Sequence, residues 1–404
     1  VLIVAAQFYQ SEPLIEAESP EMVAKRDSPD NAYYALVELG ESVPDVPRPT
    51  RPAALLAARA NKGKLSIIAS RLAILRPDDD PEVLKYLEET RPLALEAARV
   101  LEERAYYCAP IDSLEGNQRR LGDLVKVSRI LCGHALYAAK SERPDEAIML
   151  ALAALRLGKV VAADGPFENV VAGCEMLHDG AVTALSLPWT DFSEAQLRGF
   201  LRDLNTLAPM KLDLSATVDS ELRLVEAGLY TSADEGEGGG LMGSLEEAAL
   251  RRFLRKREAV LREVATMTYK ELRHRNVRND RARRIEDKVL PTRFTKYSAE
   301  AVEVRARAGT YTEGLRAVVG LELYRKLHGG YPESLEALTP ACVETVPVDE
   351  YDSQPLRYSR KENTYNLYSV GPSGEDNGGH SKRDELIPPP VAKAFVASLH
   401  KSDE

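Results

Sequence analysis

Four side chains in the middle of the chain have the chemistry of metal ligands: Cys132, His134, Cys174 and His178. Thiolate and imidazole are the usual donors of structural zinc sites. Cys174 and His178 are four residues apart, so a helix would carry both on one face. Cys132 and His134 are two apart and would point roughly 200° apart on a helix. That spacing opposes joint ligation unless Gly133 breaks the helix. The competing reading is a pair of core thiols with two polar-tipped core histidines.

Other chemistry is harder to place. H-E-x-x-H, G-x-S-x-G and the dinucleotide fingerprint are absent, and the six histidines are scattered. Carboxylate pairs such as Glu102 with Glu103, or Glu246 with Glu247, are sequence neighbours of the kind that lies on a solvated helix face. No spacing marks one as acid and another as base. The glycine-rich run at 234–240, "DEGEGGG", lacks the Gly-Lys-Ser/Thr ending of a phosphate loop and reads as a mobile loop. The single tryptophan, Trp189 in "LPWTDF", reads as a packed anchor before a helix, with a carbohydrate-stacking platform as the alternative. The sequence therefore assigns no catalytic residue and no organic cofactor.

The elements that would position these residues are mostly helices. Alanine and leucine are abundant and the chain is 404 residues long, enough for two or three domains. Four cysteines without a C-x-x-C pair do not make a disulfide framework, leaving one or two disulfides or buried free thiols. A net charge of -10 argues against a general nucleic-acid binder. Residues 251–284 nevertheless hold thirteen Lys or Arg against four Asp or Glu, a local +9. With Phe253, Leu254, Val260, Leu261, Val264 and Met267 they suggest a basic helix with one apolar side. Its charges are either solvated or paired with the acidic bulk, or else turned to an anionic partner.

Along the chain, "VLIVAAQFYQ" is too short to span a bilayer. It reads as the end of a removed signal or of a membrane anchor before Val1, against a buried first element. A proline-rich connection follows at 43–52. The stretch 80–107 predicts two helical segments, with Pro92 at the break or at the start of the second. Residues 121–140 and 144–162 predict an antiparallel helical hairpin, with Ala147, Ile148, Ala151, Leu152 and Leu155 as the buried stripe of its second helix. The hairpin resembles a tetratricopeptide unit, but no 34-residue period repeats. Thr190 or Ser193 is the expected cap of the next helix. A helix over 312–328 should end at a left-handed Gly329 or Gly330. Short strands follow around "PLRYSR" and "TYNLYSVG". The fold class expected is mainly α, an irregular array of helical hairpins, followed by a small α+β domain. The expected organisation is an extended segment at 1–50, a helical domain at 51–300, an α+β module at 301–388 and a short helical tail at 389–404.

The ordered run "GGYPESLEAL", "VPVDEYDSQPLRYSR" and "TYNLYSVGPSGEDNGG" resembles the globular domain of the major pseudopilins of type II secretion systems. The resemblance covers about residues 313–388. The whole chain also loosely resembles uncharacterised envelope proteins of Planctomycetes-like bacteria. The pseudopilin likeness implies a bacterial envelope location and assembly with other proteins of a secretion-related complex. It also implies calcium in the last loop, where Asp376 and Asp384 would supply carboxylates with Glu375 nearby. Ser373 stands where the family has an aspartate. No apolar stem leads directly into the 312–328 helix, so filament formation through such a stem is not implied. Tyr331 and Pro332 read as a folding element that stops the helix and directs the exit of the chain. The function expected is a non-enzymatic envelope scaffold. The alternatives are a helical peptide-binding adaptor or a hydrolase with carboxylates in the helical domain.

Overall fold

A computed structural model describes residues 20–45, 81–104, 107–110, 114–207, 214, 216–223, 258, 261–274, 293–380, 384–389, 392, 393 and 396. The opening apolar run, the glycine-rich run at 234–240, Glu246 and Glu247, and most of the basic stretch lie outside the described residues.

The chain is mainly helical, with a small antiparallel sheet region near its end. In order, the helices are α1 (Pro20–Asp27), α2 (Ala32–Ser42), α3 (Pro81–Glu103), α4 (Leu114–Lys140) and α5 (Pro144–Ala163). Then come α6 (Phe167–Leu185), α7 (Glu194–Leu207), α8 (Tyr269–His274) and α9 (Arg293–His328).

Two expectations need correction. The stretch 1–50, expected to be extended, holds helices α1 and α2, with Leu36 and Val37 of α2 in the core. Residues 81–103 form one helix with Pro92 inside it, not two broken there. Proline removes one amide donor and crowds the carbonyl four residues earlier. Here Ala94, Ala97 and Ala98 beyond the proline, like Tyr86 and Leu87 before it, are buried in one core. Packing on both sides of Pro92 keeps the helix continuous despite the lost bond.

The α4–α5 hairpin turns in three residues. Glu142 takes a left-handed φ of 54°, and the Arg143 amide donates to the Ala138 carbonyl at 2.9 Å. Pro144 then opens α5, where a missing N–H costs nothing. The α5–α6 turn passes through Gly165 at φ +98°, where a Cβ would lie 2.2 Å from the Asn169 side chain.

Helices α5 and α6 approach so closely that glycines are needed where they touch. A Cβ on Gly158 would sit 2.4 Å from the backbone nitrogen of Leu177. One on Gly173 would sit 2.2 Å from that of Ala162. Ala154, Gly158 and Ala162 make a four-residue spacing of small side chains along α5, and α6 answers with Gly173 and Gly180.

Helix α9 has 36 residues, roughly 54 Å of rise. It packs on α6 and also carries the terminal module. It ends as expected: Gly329 is left-handed at φ +76°, and its amide donates to the Arg325 carbonyl at 2.8 Å. The 3₁₀ turn Leu335–Leu338 then folds back with both leucines buried. Strands β1 (Val348–Asp349) and β2 (Gln354–Pro355) form one antiparallel pair. Strands β3 (Arg357–Lys361), β4 (Thr364–Ser369) and β5 (Glu385–Leu386) form a three-stranded antiparallel sheet. Tyr358 faces Leu367 across β3 and β4, and Tyr368 faces Leu386 across β4 and β5.

The boundary drawn near residue 300 falls inside α9. One apolar core runs without a break from Leu36 through Leu155, Leu177 and Val318 to Leu367 and Ile387. The module and the helical body therefore share a helix.

Candidate functional site

The four cysteine and histidine residues occupy separate surroundings. Cys132 lies on α4 beside Thr183 and Ser128, and burial pushes its thiol up to about 12. Cys174 on α6 is likewise pushed up to about 12 by burial. His178 packs edge-on against Tyr311, ring centres 4.5 Å apart, with Nδ1 3.5 Å from Asp179. His134 lies against Thr90 instead. All four cysteines are buried and unpaired. Among the described residues, no three or more His, Cys, Asp or Glu side chains are arranged to hold a metal.

His134 is 1% exposed. The Thr90 hydroxyl donates to the Tyr86 carbonyl at 2.7 Å, so it accepts from His134 Nε2–H at 3.0 Å. This leaves Nδ1 as a buried acceptor without a partner. Burial pushes the imidazole down to about 4. A histidine whose pKa is depressed on folding stabilises the fold above its unfolded value near 6.5, and that contribution is lost as pH falls through 4. Acidification across that window is expected to remove roughly 3 kcal/mol of stability. Urea unfolding at pH 7 and pH 4.5, in the natural chain and in His134→Leu, checks this: the variant should lose much of the pH dependence.

The acidic loop of the module is knitted by its own amides. Asp384 is buried and accepts from the backbone N–H of Gly379 at 2.8 Å, His380 at 3.0 Å and Asn377 at 3.1 Å. Asp376 accepts from the Gly378 amide and the Tyr368 hydroxyl, both at 2.9 Å. These partners, the Gly378 amide first, hold its carboxyl below the usual range. The Ser373 hydroxyl donates to the Val370 carbonyl at 3.0 Å, and the Glu375 side chain is exposed. The cation already present is Arg357, 2.5 Å from Asp352 and 3.6 Å from both Asp349 and Asp376. Calcium takes six to eight oxygens. The loop as folded turns its best carboxylate inward to three amides, which does not fit that demand.

Tyr331 donates to Glu322 at 2.7 Å, and Glu322 also accepts from Arg325 at 2.8 Å. The Tyr358 hydroxyl donates to the Pro332 carbonyl at 2.7 Å. These contacts tie the Tyr-Pro turn to helix and sheet, as a folding element would. Trp189 is an interior anchor: its indole donates to the Ala184 carbonyl at 2.8 Å and its ring packs on Phe192 and Phe200.

Of the basic stretch, Leu261 and Val264 enter the core while Lys270, Arg273 and His274 are exposed. Arg262 pairs with Asp219 at 2.6 Å and with Glu258 at 2.9 Å. Part of its charge is thus used within the chain.

The feature that sequence reading missed is a cleft between α5 and α7, closed at one side by Glu102 of α3. Two bonds show that α5 and α7 run parallel. Gln196 near the start of α7 donates to Asp145 near the start of α5, at 2.7 Å. Lys159 near the end of α5 reaches the Leu207 carbonyl at the end of α7, at 2.5 Å. The start of α7 is fixed by a reciprocal cap, in which the Gln196 amide donates to Ser193 Oγ at 3.2 Å and the Ser193 amide to Gln196 Oε1 at 2.9 Å.

The cleft has a volume of about 250 Å³. Ile148, Met149, Leu152 and Phe200 line it with apolar surface, and Met149 is 36% exposed. Glu102, Asp145, Asp203 and Arg156 supply its charges. Arg156 is half-buried and makes no ion pair among the described residues. Gly199 sits mid-helix in its wall, and a Cβ there would meet nothing within 4 Å. Packing does not demand glycine at this point, though it costs a helix about 1 kcal/mol relative to alanine. What its absent side chain does is leave the cleft open.

The signal was available as spacing. Asp145, Met149, Leu152 and Arg156 share one face of α5; Gln196, Gly199 and Asp203 share one face of α7. What the sequence lacks is the information that these two faces meet.

Among the described residues, no helix is long and apolar enough to cross a membrane. No protein family, curated protein or solved structure compared with the chain matches it.

Proposed function

We propose that this protein is a non-enzymatic scaffold or assembly component of the bacterial cell envelope, and that its helical body docks another protein at the α5–α7 cleft. The observation that carries the docking reading is the cleft itself: an exposed methionine over an apolar floor, walled by a glycine that packing does not require. Methionine is an adaptable contact residue, suited to a partner's side chain. At about 250 Å³ the cleft lies below the usual size of a cofactor or substrate pocket and matches one or two inserted side chains. The envelope location and the secretion-related setting rest on the likeness of residues 313–388 to pseudopilin globular domains. In this reading the module, sharing α9 with the body, extends one rigid assembly surface.

The test places a photo-crosslinking residue at Met149 in the full chain, expressed in its own host. A discrete crosslink to one identified protein is expected. It should vanish when Gly199→Leu fills the cleft, and a crosslinker at Leu327, exposed at the far end of α9, should not reproduce it. Gly199→Ala is expected to keep the crosslink and to stabilise the chain by roughly 0.5–1 kcal/mol. Crosslinking that ignores the Gly199→Leu change would overturn the docking reading.

A further inference from the structure

We infer that the partner enters the cleft as a basic amphipathic segment of another protein, with an apolar side chain as anchor and Lys or Arg beside it. This rests on the docking reading above and names the chemistry of the occupant.

The argument is one of complementarity. The cleft floor is apolar, with Leu152 and Phe200 almost fully buried beneath Ile148 and Met149. An occupant must therefore offer an apolar group to displace water from that floor. Among the charged lining groups, three are carboxylates and one is a guanidinium. Glu102 is exposed and makes no ion pair among the described residues. Asp145 is exposed, and its described side-chain partner is the uncharged Gln196 amide, so its charge is uncancelled. Asp203 has Arg202 at 3.2 Å, a side chain 78% exposed that holds its partner loosely. An acidic segment would meet this rim with like charge, whereas a basic one gains at each carboxylate.

The geometry also sets a length. Asp145 and Arg156 are eleven residues apart on α5, about 16 Å along its axis. A helical segment of three turns, or an extended one of five or six residues, spans that distance. Arg156 then has a clear use, as a donor to a backbone carbonyl or terminal carboxylate of the segment.

The experiment uses the full chain and two fluorescein-labelled synthetic twelve-residue peptides. Both carry the same Leu and Met anchors at helical spacing. One has Lys at its polar positions and the other has Glu. Fluorescence anisotropy is expected to show the Lys peptide binding at least tenfold more tightly, with affinity falling as salt rises. Reversing two carboxylates, Glu102→Lys with Asp203→Lys, should weaken the Lys peptide about tenfold, as two partly exposed charge pairs would. Gly199→Leu should abolish binding of either peptide. Equal binding of both peptides, or indifference to the charge reversals, would overturn the inference.

The Met149 crosslink separates this failure from failure of the docking reading. A cleft-dependent crosslink to an acidic or neutral segment leaves docking standing and sinks the basic partner. Absence of any cleft-dependent crosslink removes docking itself. A crosslink to a second copy of this chain also overturns the inference, since it commits to a different protein.

Discussion

Asp349→Ala is expected to cost roughly 3–5 kcal/mol and to lower the unfolding temperature of the whole chain. Asp349 is fully buried at the end of β1, yet its carboxylate is the meeting point of the terminal module. Oδ1 accepts from the Tyr351 amide at 3.1 Å and from the Thr310 hydroxyl of α9 at 3.2 Å. Oδ2 accepts from the Val370 amide at 3.0 Å, where β4 ends. Arg357 adds its charge at 3.6 Å. Removing the carboxylate leaves at least two backbone N–H groups buried without acceptors, each worth about 1–3 kcal/mol. Asp349→Asn keeps one acceptor oxygen and turns an amide donor toward a donor, so it should recover only part of the loss.

The readout is thermal unfolding followed both by far-ultraviolet circular dichroism and by fluorescence of Trp189. That tryptophan is the only one in the chain and is buried in the helical body, far in sequence from Asp349. Because α9 belongs to both halves of one core, the two signals should shift together in the variant. A loss below about 1 kcal/mol would show that water or side-chain rearrangement satisfies those amides. A Trp189 transition that stayed in place would show that the module unfolds alone.

Gly173→Val should have the second large effect, abolishing stable folding or costing more than about 3 kcal/mol. The first atom of any side chain at Gly173 would lie 2.2 Å from the Ala162 nitrogen and 2.6 Å from its Cα. Those are backbone atoms of α5, so no rotamer change relieves the overlap, and the two helices would have to part. Parting them opens the core around Val161, Val170 and Leu177, all essentially buried. Gly122→Ala is the control, because a Cβ there meets nothing within 4 Å, and it should be neutral or slightly stabilising. Soluble yield and urea midpoints for the two variants would decide the matter. A Gly173→Val chain as stable as the Gly122→Ala chain would mean that α5 and α6 separate at little cost.

Local patterns that depend on neighbours within one or two turns were legible in the amino-acid sequence. The mainly helical class, the α4–α5 hairpin, a cap at Thr190 or Ser193, a left-handed Gly329 or Gly330 and the β3–β4 pairing all follow from apolar spacing and terminal residue types; the structure selects Ser193 and Gly329. Such signals are written within a few residues of where they act. The Pro92 break failed for the same reason: the local rule is sound, but burial of Tyr86, Leu87, Ala94 and Ala97 on both sides outweighs one missing hydrogen bond.

Only the tertiary structure decided which residues meet. Cys174 and His178 share a helix face as their spacing requires, yet a ligand set needs a second helix to supply the rest, and Tyr311 of α9 fills that place beside His178. The pseudopilin likeness implied Asp384 as a calcium ligand; the way the loop closes turns three amides onto it. The cleft is the clearest case, since Met149 and Gly199 lie fifty residues apart and neither is unusual by itself. Periodicity fixes the face of each helix, but the pairing of faces comes from close approach. In this chain that approach is set by small residues such as Gly158 and Gly173, whose role is visible only once the opposing backbone is in place.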